Sequence, residues 1–105
     1  MSKKLYLGKI EELEQTLPRR FEFDEIQIAV FQCDGELFAI DDLCSHDEAS
    51  LVEGDVEGCE VSCPLHGARF DIKTGKNLTL PAVRPVNAYQ VVVEDGLVYV
   101  LVAEE

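Results

Sequence analysis

Two stretches of the chain share one pattern, a run of β-branched and aromatic residues, then Asp-Gly, then a second such run. They are "QIAVFQCDGELFAID", residues 27–41, and "YQVVVEDGLVYVLV", residues 89–102. Asp-Gly tolerates the positive φ angles of a two-residue type I′ turn, whose twist matches that of paired strands, so each stretch predicts a β-hairpin. Tyr6 to Leu7, Arg19 to Phe23, Cys59 to Ser62 and Ala68 to Ile72 are shorter strand candidates, and "KTGK" at 73–76 is a further turn. Only Ile10 to Gln15 has helical character, for one or two turns. Pro81 and Pro85 interrupt "LTLPAVRPVNAY", which reads as a surface loop or edge segment because proline cannot donate to a sheet ladder. No repeat, low-complexity tract or linker divides the sequence. The pattern predicts an all-β fold, with residues 1–105 as one domain.

Composition narrows the function classes. A chain of 105 residues with 47% hydrophobic content can bury a real core. Twenty-one acidic against nine basic residues leave a net charge of −12. Nucleic-acid binding needs a basic stripe to displace phosphate counterions, and the sequence has none. Anionic membrane surfaces are disfavoured for the same reason. The charge suits proteins with basic patches, met by steering that weakens with salt. "MSKKLYLGKIEELEQ" carries charges throughout and lacks the apolar centre of a secretory signal. The longest apolar-rich run, "LVYVLVA" from Leu97 to Ala103, has strand length rather than the ~20 residues of a membrane helix. A cytoplasmic location is therefore expected, where cysteines point to metal or redox chemistry rather than to a disulfide framework.

The segment from Asp41 to Ile72 holds both histidines and three of the four cysteines. Cys44 and His46 are one residue apart, Cys63 and His66 two apart, giving C-x-H-x16-C-x2-H. Short internal spacings let one tight loop present two side chains to one centre. The long spacing lets two such loops face each other. Thiolate is soft and imidazole intermediate, so the set suits zinc or iron–sulfur chemistry and not a hard ion. Cys33 ends a strand, and Cys59 alternates with Val61 on one face of another. Both are read as small buried hydrophobes rather than ligands. A four-thiolate site from Cys33, Cys44, Cys59 and Cys63 would leave the histidines unexplained.

At these residues the sequence resembles the Rieske [2Fe–2S] proteins, through "CSH" at 44–46 and "CPLHG" at 63–67. The similarity extends to "EGD" between the boxes, "RFDIKTG" after the second, the "LPAVRPV" loop and the final valine-rich hairpin. In length and pattern it is most similar to the ferredoxin components of bacterial multicomponent ring-hydroxylating dioxygenases. The resemblance implies an antiparallel β-sandwich or barrel with a hairpin-loop cluster-binding subdomain over about residues 41–72. It implies one [2Fe–2S] cluster, Cys44 and Cys63 on the inner iron and His46 and His66 on the outer, surface-facing one. Pro64 would stiffen the second loop, and Gly67 would let its backbone approach the cluster. The implied role is a monomeric electron carrier without a catalytic site, passing single electrons from an NAD(P)H-dependent flavoprotein reductase to a terminal oxygenase.

Departures from related proteins refine this expectation. High-potential Rieske proteins join an extra cysteine from each loop in a disulfide, where this chain has Ala49 and Leu65. They also place serine and tyrosine hydroxyls near the cluster, where this chain has Ala68 and Phe70. Without those donors the reduced state gains less stabilisation, which places the potential near the bottom of the roughly −150 to +300 mV Rieske range. Asp47 and Glu48 follow His46 and read first as a solvated loop, with orientation of a basic docking face as the alternative. Pro64, Leu65 and Pro81 would supply a small apolar contact. A complete oxygenase needs a 2-His-1-carboxylate iron, and both histidines are already committed. The alternatives are a small Rieske-like subunit of another redox system, such as nitrite reductase, and a structural zinc-binding domain.

Overall fold

Both Asp-Gly pairs adopt the conformation that their hairpins require. Asp34 and Gly35 lie at φ 52° and 78°, Asp95 and Gly96 at 52° and 77°, so all four residues are in the positive-φ region of a type I′ turn. The structure, a computed structural model, describes residues 2–23, 26–43, 49–64, 67–78 and 85–103. In chain order these form β1 (Ser2–Lys9), α1 (Ile10–Thr16), β2 (Arg19–Phe23), β3 (Ile26–Cys33) and β4 (Glu36–Asp41). A 3-10 turn (Leu51–Glu53) follows, then β5 (Val56–Glu57), β6 (Glu60–Ser62), β7 (Arg69–Asp71), β8 (Ala88–Glu94) and β9 (Leu97–Ala103).

The strands form a six-stranded, barrel-like antiparallel sheet in the order β1-β9-β8-β4-β3-β2 and a three-stranded sheet β5-β6-β7. The first hairpin is β3–β4, closed at Cys33 and Glu36; the second is β8–β9, closed at Glu94 and Leu97. β1 is longer than the Tyr6–Leu7 candidate because it pairs along β9, Ser2 with Ala103 through Lys9 with Leu97. The register shifts between Tyr6 and Gly8, a bulge that Gly8 accommodates at φ 144°.

β3 shows why "IAVF" is a continuous apolar run rather than an alternating one. Ile28 and Val30 point into a core with Ala39, Val98 and Val100, inside the large sheet. Ala29, Phe31 and Cys33 point the other way, into a second core with Leu51, Val61 and Phe70. A strand buried on both faces needs apolar side chains at every position. The second core joins the large sheet to the small one, so the segment between the hairpins is packed against the barrel rather than appended to it. β5, which was not anticipated, is two residues long and exists through pairing Val56 with Val61 and Glu57 with Glu60. No helix of the described residues is long and apolar enough to cross a membrane.

Candidate metal centre

Two segments that border this second core carry the expected ligands, and the described ends of each are joined by backbone pairing. The first spans 43–50 and is shut by a bridge between Leu43 and Ser50. The second spans 63–68, where Cys63 N–H donates to the Ala68 carbonyl at 2.7 Å and Gly67 N–H donates to the Cys63 carbonyl at 2.8 Å. Ala49, Cys63 and Ala68 lie in the same buried cluster, so the loops rise from adjoining ground.

Of the four expected ligands, Cys63 is described. It is a free thiol, 2% exposed, at the end of β6. Cys44, His46 and His66 lie outside the described residues, as do Asp47, Glu48, Leu65 and Pro81. Among the described residues no three His, Cys, Asp or Glu side chains converge as metal ligands. Gly67 sits at φ 71°, and a Cβ there would meet no atom of the described residues within 4 Å. Backbone conformation is therefore a sufficient reason for this glycine.

The first loop is held by a residue that the sequence reading did not single out. Asp42 is 0% exposed, and its Oδ1 accepts the Ser50 hydroxyl at 2.8 Å and the Val52 amide at 3.2 Å. Its backbone joins β3 through N–H to the Gln27 carbonyl at 2.9 Å and accepts the Leu51 amide at 2.6 Å. Oδ2 lies 3.6 Å from Arg20 Nη1 and has no hydrogen-bond partner among the described residues. A buried carboxylate is costly unless bonded and charge-compensated, and Asp42 spends its bonds on the segment that closes the loop. Its neighbour Asp41 anchors the start of β8, accepting from Tyr89 Oη at 2.5 Å and from the Asn87 amide at 2.8 Å. Burial and this carboxylate hold the Tyr89 phenol well above its ordinary range. The only sequence signal for either role is "DD" immediately before the first loop, where solvated acids would be the simpler reading.

The motifs outside the ligand boxes also acquire physical reasons. A Cβ on Gly54, within "EGD", would overlap the Ser62 carbonyl, so glycine allows the turn after the 3-10 helix to lie against β6. Gly75, within "KTG", is at φ 77°; a Cβ there would overlap the Val86 carbonyl, and its own carbonyl accepts the Val86 amide at 2.8 Å. That contact ties the end of the proline-containing segment to the turn after β7. Pro85 is exposed and Val86 buried, so the segment re-enters the core before β8.

Cys33 and Cys59 correct the sequence reading. They are not two separate hydrophobes: the structure pairs them in a disulfide, with Cα atoms 5.5 Å apart. Cys59 also lies in the turn between β5 and β6, because β6 begins only at Glu60. The pairing removes both from any four-thiolate site. It leaves buried Cys63 and, by sequence, Cys44 as the thiol donors, which fits a set of two thiolates and two imidazoles.

Comparison with known proteins identifies the family. The sequence matches the Rieske [2Fe–2S] domain over residues 3–90. It is 48% identical over 102 residues to the 3-phenylpropionate/cinnamic acid dioxygenase ferredoxin subunit of Photorhabdus laumondii, covering 96% of each chain. The fold superposes on the ferredoxin of carbazole 1,9a-dioxygenase from Nocardioides aromaticivorans IC177 with a TM-score of 0.84 and 36% identity, over 92% of this chain and 95% of that one. A complex of reduced oxygenase and oxidised ferredoxin in carbazole 1,9a-dioxygenase gives a TM-score of 0.86 at 29% identity, over 97% and 95%. Two closed loops on a shared core and a match spanning most of the chain lead to one assignment: this protein belongs to the Rieske [2Fe–2S] domain family.

Proposed function

We propose that the protein is a low-potential electron carrier that takes single electrons from an NAD(P)H-dependent flavoprotein reductase and delivers them to a terminal aromatic-ring dioxygenase. The observation that carries this reading is the full-length similarity to a dioxygenase ferredoxin subunit, 96% of both chains at 48% identity. The solved complex of an oxygenase with a ferredoxin of the same fold supports the direction of delivery. In this reading Cys44, His46, Cys63 and His66 hold one [2Fe–2S] cluster, two thiolates on one iron and two imidazoles on the other. When bound, it supplies one-electron redox chemistry.

The chain's own residues then have defined tasks. Cys63 presents a thiolate from a loop whose backbone is closed on itself. Asp42 holds the base of the other loop through Ser50 and Val52. Ala68 and Phe70 are fully buried and carry no hydroxyl, so they exclude water without donating hydrogen bonds that would favour the more negative reduced state. The excess of acidic residues steers the carrier to basic faces on its partners, where a small monomer docks transiently. Residues 1–105 act in this reading as one domain, with the cluster-binding part over about 41–72, working in the cytoplasm.

Iron and acid-labile sulfide analysis with EPR of the reduced protein tests the site. Two irons and two sulfides per chain, with the low average g value of mixed Cys/His ligation, are expected. One zinc and no sulfide would overturn the reading.

A further inference from the structure

The Cys33–Cys59 pair has no part in the electron-carrier reading. Cys33 is the last residue of β3 in the large sheet, and Cys59 lies in the turn before β6 in the small sheet. They are 26 positions apart in sequence, with Cα atoms 5.5 Å apart, inside the usual span for a disulfide. β6 runs from Glu60 to Ser62 directly into Cys63. The bond therefore joins the barrel to the turn before the strand that leads into an expected ligand.

The two sulfurs are unequally placed. Cys33 is buried, whereas Cys59 is partly exposed at the edge of the second core. Asp34 Oδ2 lies 3.5 Å from Cys59 Sγ, and Lys73 Nζ lies 3.2 Å from the same carboxylate oxygen. Cys59 is thus the less buried of the two cysteines, beside an ion pair that offsets the local negative charge. Thiols are normally kept reduced in the cytoplasm, and a disulfide reachable from solvent is the kind that exchanges.

We propose that Cys33 and Cys59 form a thiol–disulfide exchange site, a clasp between the two sheets that a dithiol opens and the corresponding disulfide closes. On opening, one thiolate of the dithiol attacks Cys59 Sγ. A mixed disulfide forms as the Cys33–Cys59 bond breaks, and Cys33 leaves as a thiolate and takes a proton. The second sulfur of the dithiol then attacks the mixed disulfide, and Cys59 leaves in turn. Two electrons and two protons pass from the dithiol to the protein, and the dithiol becomes the disulfide. Closing is the reverse exchange and needs no other oxidant. The closed clasp restricts the unfolded chain, so it stabilises the folded protein. This goes beyond the electron-carrier reading and does not depend on it.

The test uses the full-length, cluster-loaded protein, incubated anaerobically at graded ratios of reduced to oxidised dithiothreitol. Samples are acid-quenched, alkylated and peptide-mapped, and parallel samples are melted by circular dichroism. Cys33 and Cys59 should become alkylated together along one two-electron curve. Tm should rise by about 10 °C or more from the reducing to the oxidising end. A Cys33→Ser/Cys59→Ser variant should lose that dependence on ratio; the wild-type alkylation curve needs no variant to fold. The proposal is wrong if both cysteines alkylate as free thiols at the most oxidising ratio, or if closing the pair leaves Tm unchanged.

Discussion

Asp42→Ala tests how the first loop is held. The substitution removes the carboxylate that accepts the Ser50 hydroxyl and the Val52 amide in a fully buried setting. Hydrogen bonds to a charged acceptor contribute about 1.5–3 kcal/mol each, and stranding their donors in the core adds a desolvation cost. The two bonds together set the expected loss at about 3–5 kcal/mol; Arg20, which is 41% exposed, keeps its solvent and adds little. Against a total of roughly 5–15 kcal/mol, such a loss takes a large share of the stability. Asp42→Asn keeps Oδ1 as acceptor and changes only Oδ2, which has no hydrogen-bond partner among the described residues and faces Arg20 Nη1 at 3.6 Å. It should cost about 1–2 kcal/mol. Urea unfolding followed by circular dichroism, with m values compared, measures both losses, and visible absorbance reports cluster retention. A Ser50→Ala cycle isolates the coupling. If Asp42→Ala costs less than about 1 kcal/mol, or Asp42→Asn costs as much as Asp42→Ala, the carboxylate is not what holds the loop.

Three further outcomes are expected. Because the Tyr89 phenol is raised above its ordinary value of 10.0, the folded state keeps a proton that the unfolded chain loses. Its stabilisation is complete below about pH 10 and is lost as pH rises toward the folded value; Tyr89→Phe should flatten that decline in alkaline urea titrations. Ala68→Ser with Phe70→Tyr adds hydroxyl donors within the buried cluster that contains Cys63, and a net hydrogen bond of about 1 kcal/mol per electron corresponds to a rise of roughly 40 mV each in a redox titration. A midpoint already well above zero in the unsubstituted protein would refute the low-potential reading. Asp47→Lys with Glu48→Lys should slow reduction by the reductase at low salt and flatten its salt dependence. Stopped-flow rates that keep their salt slope would remove these residues from the docking face.

Local chemistry made much of the protein legible from its sequence. Both Asp-Gly turns, the strands around them, the short helix and the turn at 73–76 follow from neighbouring residues, because turn type and side-chain alternation are set within a few positions. The C-x-H and C-x2-H spacings are equally local, since two ligands on one loop must be close in sequence. Tertiary structure decided what depends on distant partners. β1 reaches its full length only against β9, and β5 exists only through β6. "IAVF" could not reveal that β3 divides its side chains between two cores. Asp42 reads as a solvated acid until Gln27, Ser50 and Val52 surround it. Cys33 and Cys59 read as unrelated until sheet packing brings their Cα atoms to 5.5 Å. No spacing rule connects residues 26 positions apart; only the fold brings them within bonding distance.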